Sequence, residues 1–168
     1  TLTSLEQIDQ EAARLNELGH RLHASGITLC YRTDWAAFTQ VHGRTVLEGL
    51  LELTSPEEVQ VELDAAWSIF GGADPAQLLR VHAARIPLLR LTDLEGPLLS
   101  LQGRRPGPRE VRFTDCGSGI VDFRSLLTVA KESGVRWGLI AKEARPWHGP
   151  GLAALQKSAT CLQRLGWG

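Results

Sequence analysis

The sequence predicts an α/β fold of parallel βα units. Strand-like and helix-like stretches alternate strictly along the 168 residues, their boundaries are marked by glycine, proline or capping residues, and no linker interrupts the series. The first stretch is a helix from about Ser4 to Ala24, because Leu5, Ile8, Ala12, Leu15, Leu18 and Leu22 recur with helical spacing and Glu6, Asp9 and Glu11 lie early, where the helix dipole favours negative charge. Ser25 and Gly26 end it. Ile27 to Thr33 is apolar, β-branched and aromatic without helical period, which reads as a strand. Val46 to Leu53 is helical, bounded by Gly43 and by Ser55-Pro56. Val59 to Asp64 is the second strand, and Asp74-Pro75 opens a helix to about Arg85 with Asp as N-cap and Pro in the first turn. Ile86 to Thr92 is the third strand, followed by a Gly/Pro-rich loop from about Leu94 to Gly119, long enough to be a candidate functional loop. Asp122 caps a helix through Lys131 that stops at Ser133-Gly134, Trp137 to Lys142 is the fourth strand, and Gly151 to Leu165 is a last helix ended by Gly166. Residues 1–168 therefore read as a single domain.

Composition narrows the function. Eighteen Lys plus Arg balance nineteen Asp plus Glu, so no one-signed field would draw the chain to nucleic acid or anionic lipid. The longest apolar runs, such as Ile86 to Leu89, fall far short of the ~20 residues of a membrane helix, and Thr1 to Gln10 lacks a signal-peptide pattern; a cytoplasmic location is expected. Cys30, Cys116 and Cys161 are too few and too scattered for a disulfide framework or a zinc site. The absence of Met, even at position 1, suggests that the sequence begins after processing or inside a longer gene product.

In parallel α/β folds ligands bind beyond the carboxyl ends of the strands, which locates the site before the architecture is settled. The first strand runs into Tyr31-Arg-Thr-Asp rather than a G-x-G-x-x-G, so dinucleotide binding loses its main support. Gly117-Ser-Gly119 precedes a helix and could offer backbone N–H groups to a phosphate, although such pairs are also ordinary turn chemistry.

Several segments in order carry a family resemblance: Tyr31 to Phe38, Glu62-Leu-Asp-Ala-Ala-Trp67, Gly72 to Pro75, Arg85-Ile86 with Arg90-Leu-Thr-Asp93, Gly117 to Phe123, Gly134 to Trp137 and Leu162 to Trp167. The chain resembles the sugar phosphate isomerase/epimerase superfamily, the xylose isomerase-like TIM barrels that include the family 2 AP endonucleases. The resemblance covers nearly the whole chain but only the C-terminal half of such a barrel, whose full (β/α)8 form takes typically ~250 residues. It implies four of eight strands and a metal site of which one acidic ligand belongs to the other half. The motifs depart from the family as well. Where metal-binding members show Tyr-His-Asn-His, this chain has Tyr31-Arg32-Thr33-Asp34. Glu-Leu-Asp-x-x-Trp is intact as Glu62, Leu63, Asp64 and Trp67, which makes Asp64 the one retained ligand position. The His of His-Leu-Lys-Asp is replaced by Arg90, and the first acid of Val-Glu-Gln-Asp aligns with Ala141, leaving Lys142 and Glu143 beside it.

Strand alternation gives an independent check, since residues of one parity line the barrel interior: Arg32 and Asp34, Glu62 and Asp64, Arg90 and Thr92, Ala141 and Glu143. The expected crown pairs guanidinium groups with carboxylates, and Arg90 in particular with Asp64. A permanently protonated guanidinium cannot ligate a metal and repels one. The candidate catalytic groups are Glu143 and Asp64 as base and His148 as acid or base; Arg32, Asp34, Glu62, Arg90 and Trp35 are the candidate ligand-binding residues. No cofactor is expected, the alternative being Mg2+ or Mn2+ on Asp34, Asp64 and Glu143. Trp67, Trp137 and Trp167 read as packing residues, Trp35 and Trp147 as pocket walls. His20, His23 and His82 fall on helices away from the mouth, and His42 in a loop on its side. Arg104, Arg105 and Arg109 form a basic cluster in the long loop.

Two functions follow. One is a sugar or sugar phosphate isomerase/epimerase that moves a proton next to a carbonyl, with its usual metal site largely lost; the other is a noncatalytic ligand-binding or assembly module, a pseudoenzyme on the same fold. The expected partner is a small sugar or sugar phosphate, with neither nucleic acid nor membrane. A half barrel leaves open edges, so a homo-oligomer, most simply a dimer, is expected.

Overall fold

The computed structural model describes residues 1–98, 106–141 and 151–167. Its helices are α1 (Leu5–His23), α2 (Val46–Leu53), α3 (Ala65–Gly71), α4 (Pro75–His82), α5 (Phe123–Glu132) and α6 (Gly151–Arg164). Its strands are β1 (Leu29–Arg32), β2 (Gln40–Val41), β3 (Arg44–Thr45), β4 (Val59–Asp64), β5 (Leu88–Leu91), β6 (Asp93–Leu94), β7 (Phe113–Thr114) and β8 (Trp137–Ile140). Single 3-10 turns cover Trp35–Phe38 and Ala83–Arg85. The central sheet has the order β1-β4-β5-β8, all parallel; β2 pairs with β3 and β6 with β7 as separate antiparallel ribbons.

The helices start where their caps are. Ser4 accepts the Gln7 N–H, Thr45 and Glu48 form a reciprocal capping box, and Asp74 and Asp122 accept from Ala76 and Ser125. One face of the sheet is apolar and buried: Val61, Leu63, Leu89 and Leu91 pack with Leu79 of α4, Phe123, Leu126 and Leu127 of α5 and Leu162 of α6. A smaller cluster joins Ile8 and Ala12 of α1 to Val46 and Leu50 of α2. Gly19 is required where α1 meets the chain entering β4, because a Cβ there would lie 2.6 Å from the Glu58 carbonyl oxygen. The opposite face, the interior side of a barrel, carries Cys30, Arg32, Gln60, Glu62, Asp64, Leu88, Arg90, Trp137 and Leu139 by strand alternation.

The predicted elements correspond to the observed ones: β4 has the predicted bounds, β1 and β5 start two residues later and end one earlier, and β8 starts at the predicted Trp137, the last residue of its predicted range lying outside the described residues. Three features were not predicted. Helix α3 begins directly after β4, because Asp64 ends the strand and caps the helix with its own side chain, so no loop separates the two periods. The β2/β3 hairpin turns at His42 and Gly43, both with positive φ. The predicted long loop contains the β6/β7 ribbon, which closes near its described ends.

Candidate functional site

The carboxyl ends of β4 and β5 build a charged cluster from adjacent strands. Their parallel register sets Asp64 opposite Arg90, with the Arg90 Nε 3.3 Å from Asp64 Oδ2 and its Nη1 3.5 Å from Glu62 Oε1. Asp64 is fully buried. Its Oδ1 accepts from the Trp67 N–H at 3.0 Å and from the Thr92 hydroxyl at 2.7 Å, while its own N–H donates to Thr33 Oγ1 at 2.9 Å. Thr33 in turn donates its N–H to the Glu62 carbonyl, so β1, β4 and β5 are tied together at one level. The Arg90 and Asp64 pairing expected from strand parity is therefore present, and Glu62 and Thr92 join it.

The other candidates are distributed differently. Arg32 pairs in register with Glu62 at the backbone but its side chain is exposed. Asp34 accepts the Ala36 N–H at 2.8 Å and so serves as N-cap of the turn Trp35–Phe38. Trp35 is half-buried and packs against the cluster of Ala66, Phe70, Leu94 and Val111. Trp67 meets Phe70 and Phe113 edge to face in the same cluster, as a packing residue. Trp167 is also half-buried and packs against the main core. Trp137 is a correction: it is 69% exposed, because its register with Leu88 and Glu62 sets it on the face of the sheet opposite the one that the helices cover. Glu143, His148, Lys142, Trp147, Arg104 and Arg105 lie outside the described residues. Arg109 is exposed, and His20 lies far from the cluster, 2.7 Å from Glu58.

Gly117-Ser-Gly119 is not a phosphate cradle. The N–H groups of Gly117 and Gly119 both donate to Asp93 Oδ2 at 2.9 Å, and those of Leu94 and Val121 donate to its Oδ1 at 2.9 and 3.0 Å. An internal carboxylate thus occupies the place an anion would take. Burial pushes the Asp93 carboxyl up, and the four donors act against that shift. Sequence reasoning missed this role; the available signal was an acid ending a strand ahead of a Gly-x-Gly turn. A Cβ at Gly119 would collide with the Leu94 carbonyl oxygen, which explains the glycine there.

Among the described residues no three His, Cys, Asp or Glu side chains converge as a cation site. Asp64 spends one oxygen on an N–H and a hydroxyl and turns the other to a guanidinium. A carboxylate oxygen that faces a fixed guanidinium charge is poorly placed to take a divalent ion as well.

No family model matches the chain. An inosose dehydratase of Bacillus cereus (strain AH820) is 26% identical over 151 residues, 84% of this chain and 49% of that protein. In structure, a sugar phosphate isomerase/epimerase from Parabacteroides distasonis superposes with a TM-score of 0.78 at 20% identity, covering 97% of this chain and 54% of the other. A xylose isomerase domain protein from Planctomyces limnophilus gives 0.66 at 18% identity, covering 95% and 51%. The chain spans about half the length of the curated relatives it matches. Sequence relatedness and the parallel βα architecture together bear out the resemblance to the sugar phosphate isomerase/epimerase superfamily, and the fold is part of a xylose isomerase-like TIM barrel.

Proposed function

We propose that this chain contributes the Arg90 end of a barrel mouth that binds a small polyhydroxylated ketone, of the inosose kind, and promotes proton transfer next to its carbonyl without a divalent metal. The observation that carries the reading is the Arg90 head held between Asp64 and Glu62 at the strand ends. A guanidinium so placed presents N–H donors and fixed positive charge to a carbonyl or enolate oxygen, which is the electrostatic help that the reaction needs. Asp64 orients Arg90 rather than acting as base, since both its oxygens are engaged. The proton acceptor is then Glu62, partly open to the mouth, or Glu143. Related proteins are named for dehydration of an inosose or for sugar isomerisation and epimerisation, and all of these chemistries begin with a proton next to a carbonyl.

A second reading is favoured by the saturation of Asp64: a noncatalytic member in which the cluster binds ligand or simply seals the mouth. Calorimetry with a panel of inososes and ketoses, alongside dehydration and epimerisation assays in EDTA, separates the two. Turnover that survives EDTA and falls at least ~100-fold in Arg90→Gln supports the first reading. Binding without turnover selects the second, and activity that requires added Mg2+ or Mn2+ overturns both.

A further inference from the structure

We propose that Thr92 is a positioning residue of the cluster: its hydroxyl locks the rotation of the Asp64 carboxylate and, through that carboxylate, aims the Arg90 guanidinium at the ligand. The role rests on the proposed function, in which Arg90 meets the ketone, and extends it to a side chain that acts without touching the ketone.

The Asp64 carboxylate is gripped at both ends from the neighbouring strand. Its Oδ2 faces Arg90 Nε at 3.3 Å, and its Oδ1 accepts the Thr92 hydroxyl at 2.7 Å. Arg90 and Thr92 are next but one in the chain, so alternation sets them on the same side, and the register that puts Asp64 opposite Arg90 lets one carboxylate bridge the two. The terminal torsion of an aspartate is soft and nearly two-fold, so a single donor leaves the carboxylate plane loosely set. The Trp67 N–H, 3.0 Å from Oδ1, is one such donor, and it is there because α3 needs its cap. A second donor to the same oxygen, arriving from a different element, fixes the plane. The other oxygen is then held toward Arg90.

The chemistry of the pair sets the direction of that bond. A carboxylate paired with a guanidinium can only accept, so the hydroxyl must donate. Thr92 is 3% exposed and Asp64 fully buried, so water has little access to take the hydroxyl's place. The β-branched side chain is stiff at χ1, which holds the hydroxyl in position. Thr33 provides the contrast within the same cluster. It is equally buried, but its hydroxyl accepts the Asp64 backbone N–H at 2.9 Å, so it holds the main chain rather than the carboxylate.

The test reads Arg90 itself. By NMR of the isotope-labelled protein at mildly acidic pH, the Arg90 Nε–H is assigned by its disappearance in Arg90→Lys, and its hydrogen exchange is followed without ligand. Thr92→Val keeps the shape and removes the donor, so this exchange should accelerate at least ~10-fold, the loss expected for a hydrogen bond to a charged group. Thr92→Ser restores the donor and should stay within about 3-fold of the parent. Thr33→Val should lower the urea midpoint yet leave the Arg90 exchange within about 3-fold, which a merely structural role for Thr92 would not distinguish. Thr92→Ala carries the same expectation as the valine variant should the latter fail to fold. In calorimetry with an inosose, Thr92→Val should bind at least ~10-fold more weakly than the parent, and Thr33→Val as the parent does. Unchanged Arg90 exchange in Thr92→Val, or equal acceleration in Thr33→Val, would overturn the proposal. Accelerated exchange in Thr92→Val, with no inosose bound by the parent, would uphold the link from Thr92 to Arg90 and count against the proposed function instead.

Discussion

Replacing Arg90 by Ala tests the physical role of the cluster directly. The mutation leaves Glu62 and Asp64 facing each other's charge without the cation between them. Severing a well-buried ion pair by removing one member costs about 3 to 5 kcal/mol, and an exposed pair at most about 1 kcal/mol. The side chains of Arg90 and Glu62 keep 15% of their exposure and Asp64 only 1%, which places the cluster near the buried limit. Its contacts of 3.3 and 3.5 Å are longer than ideal charge-assisted hydrogen bonds, which lowers the figure. A loss of about 2 to 4 kcal/mol follows, a fall in melting temperature on the order of 10 °C for a chain of this size. Urea titrations followed by circular dichroism, at one fixed protein concentration, measure it. The decisive comparison is a double-mutant cycle with Asp64→Asn, which keeps Oδ1 as the acceptor for Trp67 and Thr92 and alters only the oxygen facing Arg90. The coupling energy should be about 1 to 3 kcal/mol. A value indistinguishable from zero, or an Arg90→Ala protein within about 0.5 kcal/mol of the parent, would refute the reasoning that Arg90 is held by these carboxylates.

Two further outcomes are expected. Asp93→Asn turns an amide N–H2 toward backbone N–H groups that now donate to a carboxylate, so urea unfolding should show a loss of about 2 to 4 kcal/mol; an unchanged midpoint would mean that the loop at 117–121 is held by something else. Burial pushes the Cys116 thiol up to about 12, which leaves a thiolate fraction of ~0.0001 at pH 8. Mass-spectrometric mapping after timed alkylation should find Cys116 modified only as the protein unfolds, and rapid modification in the native state would contradict its burial.

The sheet was legible because its strands obey two simple rules. Val59 to Asp64 alternates cleanly, so the apolar members Val61 and Leu63 turn to the helices and Glu62 and Asp64 to the interior. The same parity sets Arg90 beside Asp64, as the structure has it. Caps were legible for a similar reason: Asp74 and Asp122 stand immediately before helical periods and do what a short acidic side chain does there. Helix α3 was not legible, since its apolar residues follow the strand without a break and Asp64 belongs to both elements. The Asp93 cradle was hidden because its donors come from Gly117, Gly119 and Val121, across a long loop whose path no local pattern encodes. Trp137 was misread for a different reason. Burial of a strand residue depends on which face the helices cover, and the parity of β8 sets Trp137 with Leu88 and Glu62 on the other one.

Asp64 illustrates why a retained acid is weaker evidence for chemistry than a replaced partner. Its carboxylate caps α3 and accepts the Thr92 hydroxyl, so a short acid at this place is already demanded by the strand-to-helix junction. Its presence would be explained in a protein with no active site at all. Arg90 carries no comparable folding duty: an apolar side chain could fill the space at lower desolvation cost, and burying a guanidinium between two carboxylates is seldom the most stable choice for a sheet. The cluster is therefore best understood from its most expensive member. A cation fixed at the strand ends, oriented by an acid that the fold already required, makes sense where an oxygen-rich ligand shares the same space, as the proposed function has it.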